Sequence, residues 1–168
     1  VNKLHSENLN WDEWMDFINT FQIVKVNRNE ILVREGQVCQ QLFFVLKGVL
    51  RCYTLEDGRE VNLHFYFQND IASEFHSLRT GATSTRNLVS MTPSILLAGR
   101  RPDYLPMIEN SHPLTLATMA FFAEKFKEEE EHSEMLKAKS PSERYHHLLH
   151  HEPQMVQQIP LSQLASYL

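Results

Sequence analysis

The sequence predicts an α+β protein in which a double-stranded β-helix (jelly-roll) barrel is preceded by one helix and followed by a long helix and shorter ones. Three observations carry this reading. Seven or eight short apolar runs separated by Gly, Pro, Asn and Asp turn signals fill residues 21–98, the spacing of an all-β unit. Beyond Arg101 the apolar residues change to a helical repeat. One polar stretch, residues 70–87, interrupts the strands where a barrel opens a pocket.

The first element is a helix over residues 10–19, with Asn10 as N-cap, Glu13 three residues on, and Trp11, Trp14, Met15 and Ile18 on one stripe. Phe21–Val26 and Ile31–Val33 follow as strands around Asn27-Arg28-Asn29, and Leu42–Leu46 runs into Lys47-Gly48. Val49–Leu55 and Arg59–Phe67 are joined by Glu56-Asp57-Gly58, whose Asp-Gly pair supplies the positive φ of a tight hairpin. Val61, Leu63, Phe65 and Phe67 alternate with Asn62, His64 and Tyr66, which predicts the first set buried and the second exposed. Leu88–Met91 and Ile95–Ala98 complete the strands.

Asp103–Asn110 reads as a short helix ended by Ser111-His112-Pro113. The long helix after it is apolar in its first half, through Leu114, Ala117, Met119, Phe121, Phe122 and Phe126, and charged from Lys127 to Glu131. Ser140, Pro141 and Glu143 start another helix that runs to about His151, before Pro153. Leu161, Leu164, Ala165 and Leu168 recur at helical spacing behind Pro160, and so short a helix needs a surface to dock on.

The 168 residues suffice for one good core with an appendage, and no apolar run approaches the roughly 18 residues of a membrane helix. A basic leader is not seen and the two cysteines, Cys39 and Cys52, form no disulfide framework, so a cytoplasmic protein with reduced thiols is expected. Bulk charge of −5 does not advertise a nucleic-acid face.

Within the polar stretch, Ser73, Glu74, Ser84, Thr85 and Arg86, with Phe75 beside them, gather hydroxyls, a carboxylate and a guanidinium suited to a small anionic or hydroxyl-rich ligand. The bland alternative is a set of polar residues capping a surface turn. His147/His151 and His146/His150 lie at i, i+4, a spacing that chelates zinc, but no cysteine completes a site and no metal is expected. His64 stands alone on its strand, which gives a cupin-like metalloenzyme little support. No nucleophile elbow, catalytic carboxylate pair or glycine-rich phosphate loop is present, and the protein is not read as an enzyme.

Phe44-Val-Leu-Lys-Gly-Val-Leu-Arg51, Asp57-Gly-Arg-Glu60, Ser140-Pro-Ser-Glu-Arg-Tyr145 and the closing Pro160-Leu-Ser-Gln-Leu-Ala-Ser-Tyr-Leu168 resemble, in that order, the Crp/Fnr family of bacterial transcription factors. The similarity covers nearly the whole chain. It implies a cyclic-nucleotide-binding-like sensor barrel over residues 1–111, a long dimerisation helix over 112–139, and the beginning of a winged-helix or helix-turn-helix DNA-binding domain over 140–168. It further implies a homodimer seam through Leu114, Ala117, Phe121 and Phe122, and places Ser162 and Gln163 near DNA. The family's iron-sulfur sensors need more cysteines than Cys39 and Cys52.

In that family the polar stretch is a phosphate cassette. Glu74 matches its ribose-binding glutamate and Gly81 a turn glycine, whereas Ser73 replaces the cassette glycine, Ser84 stands where the phosphate arginine would be, and Thr85 keeps the neighbouring hydroxyl. A charge-assisted hydrogen bond is worth about 1.5 to 3 kcal/mol, so this exchange weakens a cyclic nucleotide strongly unless Arg86, two residues on, reaches the same side. No cofactor is assigned, and the effector stays open between a cyclic nucleotide and another small molecule. The expectation is a DNA-binding regulator whose chain continues past Leu168 into a recognition helix. The alternatives are a stand-alone ligand sensor and, behind it, the cupin-like enzyme.

Overall fold

The computed structural model describes residues 11–138 and 140–168. Asn10, the expected first cap, lies outside the described residues. Helix α1 (Trp11–Asn19) leads into β1 (Phe21–Val26), β2 (Ile31–Val33), β3 (Gln41–Lys47), β4 (Leu50–Glu56), β5 (Arg59–Tyr66) and the two-residue β6 (Ile71–Ala72). A short helix α2 (Phe75–Thr80) intervenes before β7 (Asn87–Ser90) and β8 (Ser94–Arg100). The chain then turns helical, with α3 (Arg101–Asn110), α4 (His112–Ala138), α5 (Pro141–His151), α6 (Pro153–Gln158) and α7 (Leu161–Tyr167).

The strands form two four-stranded antiparallel sheets, ordered β1-β8-β3-β6 and β2-β7-β4-β5, the jelly roll expected from the strand spacing. Val45, Leu50, Leu88 and Leu96 fill the space between them, with Phe43, Cys52 and Tyr66. The β4–β5 turn takes Asp57 at φ 50° and Gly58 at φ 77°, the positive pair that a tight hairpin demands. Gly48 sits at φ 102° before β4, and a Cβ there would overlap Ser94, with its Cα only 2.9 Å away, so this position accepts glycine alone.

Strand β5 departs from the alternation read in the sequence. Tyr66 belongs to the barrel core, whereas Phe65, and Phe67 just beyond the strand, face outward and are buried against the C-terminal helices. Asn62, expected in water, is 3% exposed. A register shift opposite Cys52 and Tyr53 re-aims the strand, and helices cover the face that would otherwise be wet.

That cover is a second core, in which Val49, Phe65 and Phe67 meet Leu148, Met155, Ile159, Leu164 and Tyr167. Helix α5 opens with the expected capping box: Ser140 Oγ accepts from the Glu143 amide, and the Glu143 carboxylate accepts from the Ser140 amide at 2.8 Å. On α7 the buried pair is Leu164 and Tyr167, while Leu161, expected on the docking face, is exposed. Ser111 Oγ accepts from the Leu114 amide at 3.2 Å at the start of α4.

Candidate functional site

The polar stretch is a folded turn rather than a loose loop. Ser73, after β6, is buried and donates from Oγ to the Gln41 carbonyl at 2.8 Å, with the Cys39 thiol 3.3 Å away. The Glu74 carboxylate, 4% exposed, accepts from the Ser77 amide at 2.8 Å and so caps α2. Ser77 Oγ accepts from the Cys39 amide and donates to the Ala82 carbonyl. Gly81 ends α2 at φ 75°, returning its amide to the Ser77 carbonyl.

The six expected effector residues separate into two groups. Ser84 is buried and its hydroxyl is closed on itself: Oγ donates to the Arg86 carbonyl at 2.7 Å and accepts from the Arg86 amide at 3.0 Å. Thr85 points outward and is exposed, its carbonyl facing Thr54. Neither stands on the wall of the large cavity beside the turn. Ser73, Glu74, Phe75 and Arg86 do, together on the wall of one large space of about 1150 Å³. Of the six expected residues the fold thus brings four to one cavity wall, because the turn folds Ser84 inward and Thr85 away.

This cavity lies between the β5 end of the barrel, the charged half of α4 and the helices α5–α7. Its deep wall holds Cys52, whose thiol burial pushes up to about 12, and Tyr66, whose phenol burial raises well above its ordinary value, so both are neutral at pH 7. Its outer wall holds His64, whose Nε2 stands 3.0 Å from Glu129 of α4, and His132, stacked on Tyr167 at 4.5 Å. The His64 hydrogen bond holds the Glu129 carboxyl below its usual range against the opposing effect of burial.

Phe75 joins the turn to α4. Its ring packs at 6.0 Å from Phe121 and at 5.7 Å, edge on, from Phe122. Of the four residues expected at a two-fold seam, Leu114 is buried within its own chain, which removes it from any exposed face. Ala117 and Phe121 are half-buried and Phe122 is exposed. The exposed apolar stripe on α4 is instead Leu116, Met119, Phe122 and Phe126.

Ser162 is exposed, whereas Gln163 turns inward: its Oε1 accepts from Asn62 Nδ2 at 2.7 Å and from Arg51 Nη1 at 3.2 Å. The His147 and His151 rings stand 4.1 Å apart, as their spacing foretold, but among the described residues no three His, Cys, Asp or Glu side chains converge as metal ligands. Cys39 and Cys52 are buried free thiols. Sequence reasoning missed α2, too short for periodicity to reveal, and missed Cys52, Tyr66, Lys125 and Glu129 as wall residues. Those four come from β4, β5 and α4, which only the folded chain brings to the turn.

A jelly roll whose interrupted turn faces a cavity and packs on a long helix defines a ligand-binding barrel. The profile of the cyclic nucleotide-binding domain family matches residues 23–111, and the chain belongs to that family. Among solved structures it is similar to a Crp/Fnr-family transcriptional regulator of Eubacterium rectale, at TM-score 0.74 and 20% identity, over 95% of this chain and 76% of that one. FixK2 of Bradyrhizobium japonicum follows at TM-score 0.72 and 17% identity, over 88% and 77%. The catabolite activator protein of Thermus thermophilus gives TM-score 0.64 and 22% identity over 78% of this chain, which spans 62% of that protein. No curated protein sequence matches. The fold is thus the one these regulators share, and no helix among the described residues is long and apolar enough to cross a membrane.

Proposed function

We propose that this chain is the effector-sensing region of a Crp/Fnr-like, DNA-binding transcriptional regulator working in the cytoplasm, and that its effector occupies the cavity between the polar turn and α4. The observation that carries this reading is the Phe75 contact. The residue after the cavity-lining Glu74 packs its ring on Phe121 and Phe122, so a ligand that moves the turn also moves the long helix. The stripe Leu116, Met119, Phe122 and Phe126 supplies the face on which a second copy pairs its own α4. Helices α5–α7 are read as the beginning of a DNA-binding domain. The division into sensor 1–111, dimerisation helix 112–139 and DNA-binding portion from 140 belongs to this reading.

A cyclic nucleotide held in the family's manner fits poorly. The Glu74 carboxylate already occupies the amino end of α2, and the Ser84 hydroxyl is spent on the backbone of Arg86. Calorimetric titration with cyclic AMP and cyclic GMP is expected to show no tight binding. Tight binding abolished by Arg86→Ala would restore the cyclic nucleotide. The stand-alone sensor is separated by the reading frame: a basic recognition helix after Leu168 supports the regulator, and a stop codon there overturns it.

A further inference from the structure

We propose that the cavity takes a small organic acid with a single negative charge on an otherwise apolar body, anchored by the Arg86 guanidinium; this rests on reading the cavity as an effector site. Arg86 lines the cavity and its guanidinium makes no hydrogen bond, ion pair or ring contact among the described residues. The other permanent cation there, Lys125, is held by Glu128 at 2.6 Å. One unsatisfied planar fork is left facing the space, a geometry that recognises a carboxylate bidentately.

The surroundings fix the number of charges. Cys52 and Tyr66 are neutral, and the Glu74 and Asp70 carboxylates are turned onto the Ser77 and Phe67 amides, so among the described residues the Arg86 guanidinium is the charged group of that wall left without a hydrogen-bond partner and repels a cation. Glu128 and Glu129 on the outer wall are more than half exposed and already face Lys125 and His64, which leaves them screened. With Glu131 and Glu134 beside them they still oppose a second negative charge on the ligand. Phe75, Phe122, Phe126 and Met135 give the ligand's body an apolar wall.

The test is calorimetric titration of the 168-residue chain with 4-phenylbutyrate and decanoate, the neutral 4-phenylbutyramide, the dianion phenylsuccinate, and cyclic AMP. The monoanions are expected to bind at least tenfold more tightly than the amide and the dianion. Arg86→Gln should erase the preference for acid over amide, and Arg86→Lys should keep part of it. Because the Arg86 guanidinium holds no hydrogen bond or ion pair among the described residues and acts on Glu129 only at a distance, neither substitution should move the melting temperature by more than a few degrees. Equal binding of acid and amide, or a preference that survives in Arg86→Gln, overturns the inference. Binding of the amide or of cyclic AMP independent of Arg86 leaves the cavity an effector site and removes only the organic acid anchored by Arg86. Absence of binding by every probe removes both readings.

Discussion

Two polar clusters, one in the turn beside the cavity and one on the outer face of β5 beneath α7, are wired differently. In the turn the bonds are short-range: Glu74 to Ser77, Ser77 to Ala82, Ser84 to Arg86, with a few ties to the loop before β3. On the outer face of β5 they span the chain. Asn62 donates to the Gln163 carbonyl at 3.0 Å, to Gln163 Oε1 at 2.7 Å and to Ser166 Oγ at 2.7 Å, while its Oδ1 accepts from Arg51 at 2.8 Å. A local cluster forms with its loop and stays satisfied. A remote one exists only while α7 is docked, so the turn acts as a rigid presenter and α7 is the part that can leave.

The hardest test of this difference is Leu164→Ala. Leu164 is 1% exposed in the second core, and truncation there costs about 2 to 5 kcal/mol. Hydrogen exchange should rise across α7 and the outward face of β5 while α2 and β7 keep their protection. Loss of protection in α2 as well would mean that barrel and helices open as one unit.

A smaller perturbation separates the clusters directly. Asn62→Ala removes the bonds its amide makes to Gln163 and Ser166 of α7 and the acceptor it offers Arg51, at about 1 to 3 kcal/mol, while Arg51 keeps Gln163 and Glu60; it should free the α7 amides without touching α2. Glu74→Ala removes a helix cap at about 0.5 to 2 kcal/mol, and should expose the Ser77 amide without touching α7. The two residues share no hydrogen-bond partner, so the double variant should be additive within about 0.5 kcal/mol by chemical denaturation. A larger coupling would merge the two regions energetically.

The same contrast explains what could be read from the sequence. The strands, the Asp57-Gly58 hairpin and the Ser140 cap were legible because their signals are local: alternation, a positive-φ pair, a hydroxyl three residues before a glutamate. The outward turn of Phe65, the burial of Asn62 and the inward turn of Gln163 were not, because each depends on a surface more than 80 residues away in the chain. The candidate site was legible only in part. Glu74 and Arg86, singled out by residue chemistry, do line the cavity, but that Ser84 would spend its hydroxyl on the backbone of Arg86 depends on how the turn closes, which composition does not encode.

The smallest expected effect lies on the seam between the two regions, where α4 meets both. Burial, and then His64, hold the His132 imidazolium below its ordinary range, with Glu129 opposing. A ring whose folded pKa lies below its unfolded value near 6.5 contributes stability fully above that pH and loses it on acidification. Glu129, held low first by the His64 hydrogen bond, adds a second loss that begins only below its ordinary carboxylate value of 4.5. Between pH 7 and 5 His132 should therefore pull the melting temperature down, whereas Glu152, whose carboxyl burial raises, works in the opposite sense, so the comparison with the wild-type slope isolates the ring. His132→Phe keeps a ring on Tyr167 and removes the proton site, so it should flatten that interval and leave the decline below pH 4.5 in place. An unchanged slope between pH 7 and 5 in His132→Phe would detach this seam from the stability of the docked helices.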